Sequence, residues 1–180
     1  MGQTETLSAA IPADVEELAA AVLRQACERD MTLATAESCT GGLLASLLTD
    51  IDGLGRAFDR GFVTYSEAAK SDLLGVPATL IEREGAVSQP VALAMAEGAL
   101  SASSASVALA ITGFAGQGAE GDEPGLVHLA CATTGRPTAH REEHFGDIGR
   151  GPVRIATLRV ALAMIGSALD SRIASDPEPG

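Results

Sequence analysis

Tryptophan is absent from this chain, tyrosine occurs once and phenylalanine four times. The core must therefore be built from Ala, Val, Leu and Ile, a mix that suits helices packed on a β-sheet. Basic residues are scarce too: 12 Lys and Arg stand against 24 Asp and Glu, for a formal charge of −12. Extended nucleic-acid binding needs Lys and Arg gathered on one face, so that class is excluded, although a basic spot for one small anion is not. Cysteine is limited to Cys27, Cys39 and Cys131, an odd number without a CxxC pair. They read as reduced thiols of a reducing compartment rather than a disulfide frame or zinc site. No apolar run is read as approaching the ~20 residues of a bilayer span, and no secretory signal pattern opens the chain. The expectation is a cytoplasmic protein without membrane association. Its 180 residues match one domain, which at this size buries roughly two-thirds of its unfolded surface.

Along the chain, Val15, Leu18, Ala19, Val22, Leu23 and Ala26 recur at helical spacing, predicting a helix over 13–29. A β-like run at 31–36 leads through polar residues into Gly41-Gly42 and a second predicted helix over 40–49. Residues 61–65 are β-rich, and Ser66 reads as the N-cap of a helix that ends at Gly75-Val76-Pro77. Pro90 opens an Ala-rich helix to residue 101. The nearly continuous apolar run 106–112 predicts a strand buried on both faces. Residues 113–125 hold five glycines and three acids, a loop by composition. A hairpin over 125–133 and 138–145, turning at Gly135-Arg136-Pro137, and a helix over 152–171 complete the pattern. The expected fold is a single-domain α/β sandwich with a mixed sheet flanked by helices. It is expected over 13–172, between a flexible N-terminus at 1–12 and a disordered tail at 173–180.

Four places could carry chemistry. In Thr35-Ala36-Glu37-Ser38-Cys39-Thr40-Gly41-Gly42 a strand ends, a hydroxyl appears and a helix opens. Free amides and the helix dipole converging there would favour a bound phosphate or the oxyanion formed by a nucleophilic Ser38. A plain helix cap at Ser38 or Thr40 accounts for the same residues. In the segment Gly61 to Lys70, Lys70 lies one turn from Ser66 with Tyr65 beside it. A desolvated lysine there would serve as general base for a serine, whereas a solvated one would only decorate a helix. The sequence Ile111-Thr112-Gly113-Phe114-Ala115-Gly116 marks a strand end of the kind at which α/β sheets bind ligands. It is neither a Walker loop nor a good dinucleotide fingerprint. Arg150 and Arg154, four apart at the start of the last helix, could hold a phosphate or be surface charge. His128, His140 and His144 show no i, i+4 ligand pair, and a Cys39 nucleophile served by a distant histidine stays open.

Taken together, these segments resemble the CinA C-terminal domain family in order and spacing. The likeness runs through 35–42, then 61–66 with Lys70, then Gly85-Ala86-Val87-Ser88, then 112–116. It continues in Leu126-Val127-His128-Leu129-Ala130 and Phe145, and covers roughly residues 14–170. The resemblance implies a nicotinamide-nucleotide amidohydrolase, in stand-alone form, that converts nicotinamide mononucleotide and water to nicotinic acid mononucleotide and ammonia. It implies Ser38 as nucleophile, Lys70 as general base and Tyr65 as a hydrogen-bonding partner, with no metal or cofactor required. Amides of Cys39, Thr40, Gly41 and Gly42, with the Thr112, Gly113, Ala115 and Gly116 region, would bind the oxyanion and nucleotide, and Arg150 the phosphate. It also implies a homo-oligomer whose partner is a small pyridine nucleotide.

Two departures bear on substrate identity more than on reaction type. The family's Gly-Ile-Ala-Gly-Pro loop is here Gly113-Phe114-Ala115-Gly116-Gln117, and its later Lys-Pro-Val-Gly is replaced around Asp122-Glu123-Pro124-Gly125. The Gly-Asp-Arg before the last helix becomes Gly146-Asp147-Ile148-Gly149-Arg150. The alternative is therefore a nucleotide-binding or protein-interaction module of the same fold without turnover.

Overall fold

A computed structural model describes residues 11–170. The expected tail at 173–180, the expected flexible segment up to residue 10, and Ser171 lie outside the described residues. Five strands form one mixed sheet: β1 (Leu33–Glu37), β2 (Phe58–Val63), β3 (Val107–Gly113), β4 (Leu126–Thr133) and β5 (Ala139–His144), in the order β2-β1-β3-β4-β5. β1 runs parallel to both β2 and β3, while β3, β4 and β5 are successively antiparallel. The carboxyl ends of β1, β2 and β3 therefore open on the same edge of the sheet.

The apolar run in β3 conceals a period of two. Val107, Leu109 and Ile111 belong to one core with Leu33 of β1 and Val127, Leu129 and Cys131 of β4. That core is shared with α1 (Ala13–Glu28), α2 (Leu43–Thr49) and α6 (Arg150–Asp170). The other face carries Ala34, Ala36, Ala108, Ala110, Ala130 and Ala132, paired across three strands in register. Against this shallow face pack α3 (Glu67–Leu74), α4 (Ala78–Glu84) and α5 (Gln89–Ser101). Alanine lets the Ala-rich α5 come close, and Gly98 continues the tight fit into α3. A Cβ at Gly98 would stand 2.0 Å from the Leu74 carbonyl oxygen.

The elements follow the sequence reading with informative exceptions. Ser66 caps α3, its Oγ accepting from the Ala69 amide at 3.1 Å, and Gly75 ends the helix at φ 67°. α2 does not begin at residue 40 but at Leu43, because Gly41 and Gly42 sit at φ 62° and 92° and turn the chain first. α4 has no counterpart in the sequence reading; Ile81 is its one buried residue, too little for a helical pattern to show. α6 starts two residues earlier than the reading placed it, at Arg150.

The expectation that no segment reaches the length of a membrane span is corrected by α6. Its 21 residues include a window of mean hydropathy 1.4, long and apolar enough by composition. Leucine, isoleucine and valine account for most of that value. Val153, Leu158, Leu162, Ile165 and Leu169 spend the apolar face on the core beside α1 and the sheet.

The contact at Gly98 generates a test in which two effects oppose. Gly98→Ala gains about 1 kcal/mol of helix propensity but drives a methyl into the backbone of α3, an overpacking cost of about 1–3 kcal/mol or more. The clash is expected to win. Denaturant unfolding should show a net loss of about 1–2 kcal/mol, and a gain would mean α5 stands further from α3 than described.

Candidate active site

β1 ends between its two parallel neighbours, and the ladder continues one residue past it on each side. The Ser38 amide donates to the Ile111 carbonyl at 3.0 Å, and the Thr64 amide donates to the Glu37 carbonyl at 2.8 Å. Ser38 is thus fixed at the carboxyl edge of the parallel strands, where β1 has a neighbour on either side and a crevice forms. It is 8 % exposed.

Lys70 reaches the same point from α3. The Ser66 cap starts the helix so that Lys70 and Leu74, one turn apart, both face inward. Leu74 seats against α5, and Lys70 is only 1 % exposed. Its Nζ donates to the Thr64 carbonyl at 2.8 Å and lies 3.1 Å from Ser38 Oγ. Among the described residues no carboxylate makes an ion pair with it. Burial pulls its pKa below the ordinary lysine value, opposed by the negative charges of Cys39 thiolate and Glu67. The Cys39 thiol, however, is itself buried and pushed up to about 11, so it is neutral near pH 7 and leaves Glu67 as the opposing charge. Burial thereby disfavours the open alternative of a Cys39 nucleophile, since the thiolate is what attacks.

The turn after Ser38 departs from expectation. Glu37 is fully buried, and its carboxylate accepts from the amides of Gly42 at 3.1 Å, Leu44 at 3.0 Å and Ala45 at 2.8 Å. The Gly41 amide donates to the Ser38 carbonyl at 3.1 Å. The first turn of α2 is therefore already occupied by an anion, the protein's own. Of the amides expected to meet an oxyanion, Gly41 and Gly42 are committed elsewhere, which leaves those of Cys39 and Thr40. Thr40 is buried, and its carbonyl accepts from Arg154. Arg154 is thereby turned to the turn's backbone rather than paired with Arg150 as a phosphate clamp. Its pKa is lowered by burial first and by Arg150 second.

A cleft of about 270 Å³ opens over Ser38 and Lys70. Cys39, Thr112, Gly113, Ala115, Gly116 and Arg150 line it, whereas Thr40, Gly41 and Gly42 do not. Tyr65 lies at its mouth, 67 % exposed, and among the described residues no hydrogen bond joins its hydroxyl to Ser38 or Lys70. The extended chain explains this: Thr64 turns inward to be fully buried, so the next side chain turns out. A larger groove of about 450 Å³ lies between the β4–β5 hairpin and α6. Its reactive group, Cys131, is a thiol pushed up to about 12 by burial, and among the described residues no base is paired with it.

Several residues of the cleft stand in the quoted segments without a site role. Ala86 and Val87 form part of its wall, held by the Thr112 hydroxyl donating to the Ala86 carbonyl at 2.7 Å. Phe114, Gln117 and Gly118 also line it. Neither small apolar residues nor a loop phenylalanine carry a chemical signal that could have marked them. Glu37 stood in the quoted motif without a role, although an acid directly before a serine and a Gly-Gly turn was the available cue. The histidines do not line the cleft. His128 pairs with Thr112 across the sheet, and its Nδ1 lies 3.1 Å from His140 Nε2. Burial lowers the pKa of both. Among the described residues no three His, Cys, Asp or Glu side chains are grouped as metal ligands.

These features define an α/β domain whose parallel strand ends hold a buried serine–lysine pair under a small cleft. A family model described as the CinA C-terminal domain matches residues 15–169, and the chain belongs to that family. It is 46% identical over 154 residues to a CinA-like protein of Syntrophus aciditrophicus, covering 84% of this chain and 36% of that protein. The chain thus spans about a third of the length of the curated relatives it matches. Among solved structures it is similar to competence/damage inducible protein CihA from Agrobacterium tumefaciens, with 46% identity and a TM-score of 0.85 over 91% of this chain and 100% of that one. Competence damage-inducible protein A from Klebsiella pneumoniae superposes with a TM-score of 0.81 at 34% identity, over 86% of this chain and 96% of that one.

Lys70 gives a stability test with a definite sign. Its pKa is lowered on folding, so between that lowered value and the ordinary ~10.4 the unfolded chain binds more protons than the native one. Stability therefore rises with pH across that window. Wild type is expected to gain in Tm relative to Lys70→Met as pH is raised from neutrality toward ~10. A Tm difference independent of pH would return Lys70 to an ordinary, charged lysine.

Proposed function

We propose that this chain hydrolyses the carboxamide of nicotinamide mononucleotide, giving nicotinic acid mononucleotide and ammonia. The observation that carries the reading is the fully buried Lys70 Nζ, 3.1 Å from Ser38 Oγ and without an ion-paired carboxylate among the described residues. Desolvation favours the neutral amine. In that state Nζ accepts the hydroxyl proton of Ser38 while one of its own N–H groups still donates to Thr64. The hydroxyl, weak by itself, becomes a nucleophile.

Ser38 Oγ then attacks the amide carbon, and Lys70 carries the proton to the departing nitrogen as the C–N bond breaks. Ammonia leaves, and an ester remains on Ser38. Water, giving a proton to the same amine, attacks the ester; that proton passes on to Ser38 Oγ as the ester bond breaks, and the carboxylate leaves. Charge developing on the carbonyl oxygen in both steps needs donors already aimed at it. The amides of Cys39 and Thr40, and the backbone around Thr112 and Gly113, are the groups proposed for that task. Arg150, on the cleft wall at the start of α6, is proposed to meet the substrate phosphate. Tyr65 is proposed to meet the substrate at the mouth, since its exposed side chain stands away from the serine–lysine pair. A homo-oligomeric assembly in the cytoplasm belongs to the same proposal, and sedimentation of the purified chain tests the assembly.

A binding module without turnover is the second reading, favoured by Gln117 and Gly118 forming cleft wall where the family pattern differs. Ammonia release from nicotinamide mononucleotide separates the two. Turnover is expected in wild type and a loss of at least about a thousand-fold in kcat for both Ser38→Ala and Lys70→Ala, each folded. Activity is expected to rise with pH along a single limb set by Lys70, as deprotonation creates the base. A wild type that binds the nucleotide, gaining thermal stability, yet releases no ammonia would make the second reading the right one.

A further inference from the structure

A buried carboxylate is costly unless its oxygens are hydrogen-bonded, and an ordinary helix avoids the cost by taking its cap from the residue just before it. α2 does otherwise. Its N-cap is Gly42, at φ 92° and without a side chain to offer. The cap comes instead from Glu37, five to eight residues back on the end of β1, through three amide hydrogen bonds of 2.8–3.1 Å. A serine or aspartate at position 42 would be strained at that φ and would crowd Val63, and at best it would cap the helix locally. What it could not do is tie the helix to the strand across the intervening turn.

That turn is Ser38 to Gly41, and it is tied at three points. Glu37 holds the start of α2, the Gly41 amide returns to the Ser38 carbonyl, and Arg154 donates to the Thr40 carbonyl. The backbone of Glu37 is itself pinned by the Thr64 amide, and Thr64 also supplies the carbonyl that anchors Lys70 Nζ. One short backbone segment thus relates the carboxylate, the nucleophile and the base. Glu37 does not face the cleft and makes no hydrogen bond to Ser38 Oγ or Lys70 among the described residues.

We infer that Glu37 is a positioning residue, whose buried carboxylate fixes the Ser38 turn on α2 so that Oγ stays within reach of Lys70. The inference rests on the reading of Ser38 as an activated nucleophile, but not on the identity of the substrate. Glutamine at 37 keeps the volume yet turns an N–H₂ group toward amide donors, so at least one of the bonds to α2 is lost. The loosened turn spends less time with Oγ aligned, and small misplacements of this kind cost rate steeply.

The test uses a fluorophosphonate, which reads the nucleophile without any pyridine nucleotide. Ser38 Oγ forms a bond to phosphorus, fluoride leaves, and the hydroxyl proton passes to Lys70. Wild type is expected to be labelled at Ser38, located by mass spectrometry. Glu37→Gln, folded by circular dichroism, is expected to label on the order of ten-fold or more slowly. The pH at which its rate rises should be unchanged, because Lys70 keeps its surroundings. Should Glu37→Gln fail to fold, Glu37→Asp, which keeps the charge but shortens the reach, carries the same test. A folded variant that labels at the wild-type rate overturns the inference, as does a shifted pH limb, which would make Glu37 an electrostatic partner of the lysine. If neither variant folds, the carboxylate serves the fold alone and the inference is also overturned. Wild type that labels but releases no ammonia from nicotinamide mononucleotide removes only the proposed substrate. An unlabelled wild type removes the nucleophile and the inference together.

Discussion

The desolvation of one amine governs much of how this domain is built. Lys70 Nζ is almost withdrawn from solvent at the floor of the cleft, held by a carbonyl at 2.8 Å and a serine hydroxyl at 3.1 Å. A lysine in that position must be carried on an element that cannot drift, since its reach to Ser38 is set by where α3 lies. Leu74, one turn further along α3, lies against Gly98 of α5 at a separation that leaves no room for a methyl. α5 in turn comes close to the sheet because the strand residues beneath it are alanines. The position of the amine is therefore inherited, through α5, from a patch of small side chains on the sheet.

The two faces of the sheet divide the labour. Long aliphatic side chains on the face toward α1, α2 and α6 supply the larger share of burial, and with it the apolar contribution to stability. The alanine face gives up some of that contribution and gains a short distance between helix and strand. Both the serine and the lysine come from segments whose placement depends on the closer layer or on the strand ends themselves.

The start of α2 shows how a local pattern can be read correctly and still mislead. A strand, a serine, two glycines and a helix do stand in that order, and the dipole of the helix does favour an anion. The anion is Glu37, not a ligand. Its carboxylate uses amides that the pattern by itself leaves open for a phosphate or oxyanion. Gly41 and Gly42 are present because the chain takes positive φ there, which glycine adopts without strain. Their place in the motif is a matter of backbone geometry, and the cleft is lined instead by the loop after β3.

Periodicity and punctuation are enough to locate most elements: the 3.6-residue spacing of α1, the Ser66 cap and Gly75 stop of α3, and the hairpin of β4 and β5. Short-range forces fix these features, so a short window contains the information. The same holds for Ser38, Tyr65 and Lys70 as candidates, and the spacing of their motifs pointed to the family that the comparison establishes. What no window contains is depth. That Lys70 is buried while Tyr65 is exposed, that α6 spends its apolar length on a core, and that Glu37 caps a helix from a strand are outcomes of packing between distant segments. Residue types and their order were settled by the sequence alone. The protonation of the lysine and the donors left for an oxyanion were decided only by tertiary structure, because both depend on which groups the fold removes from water.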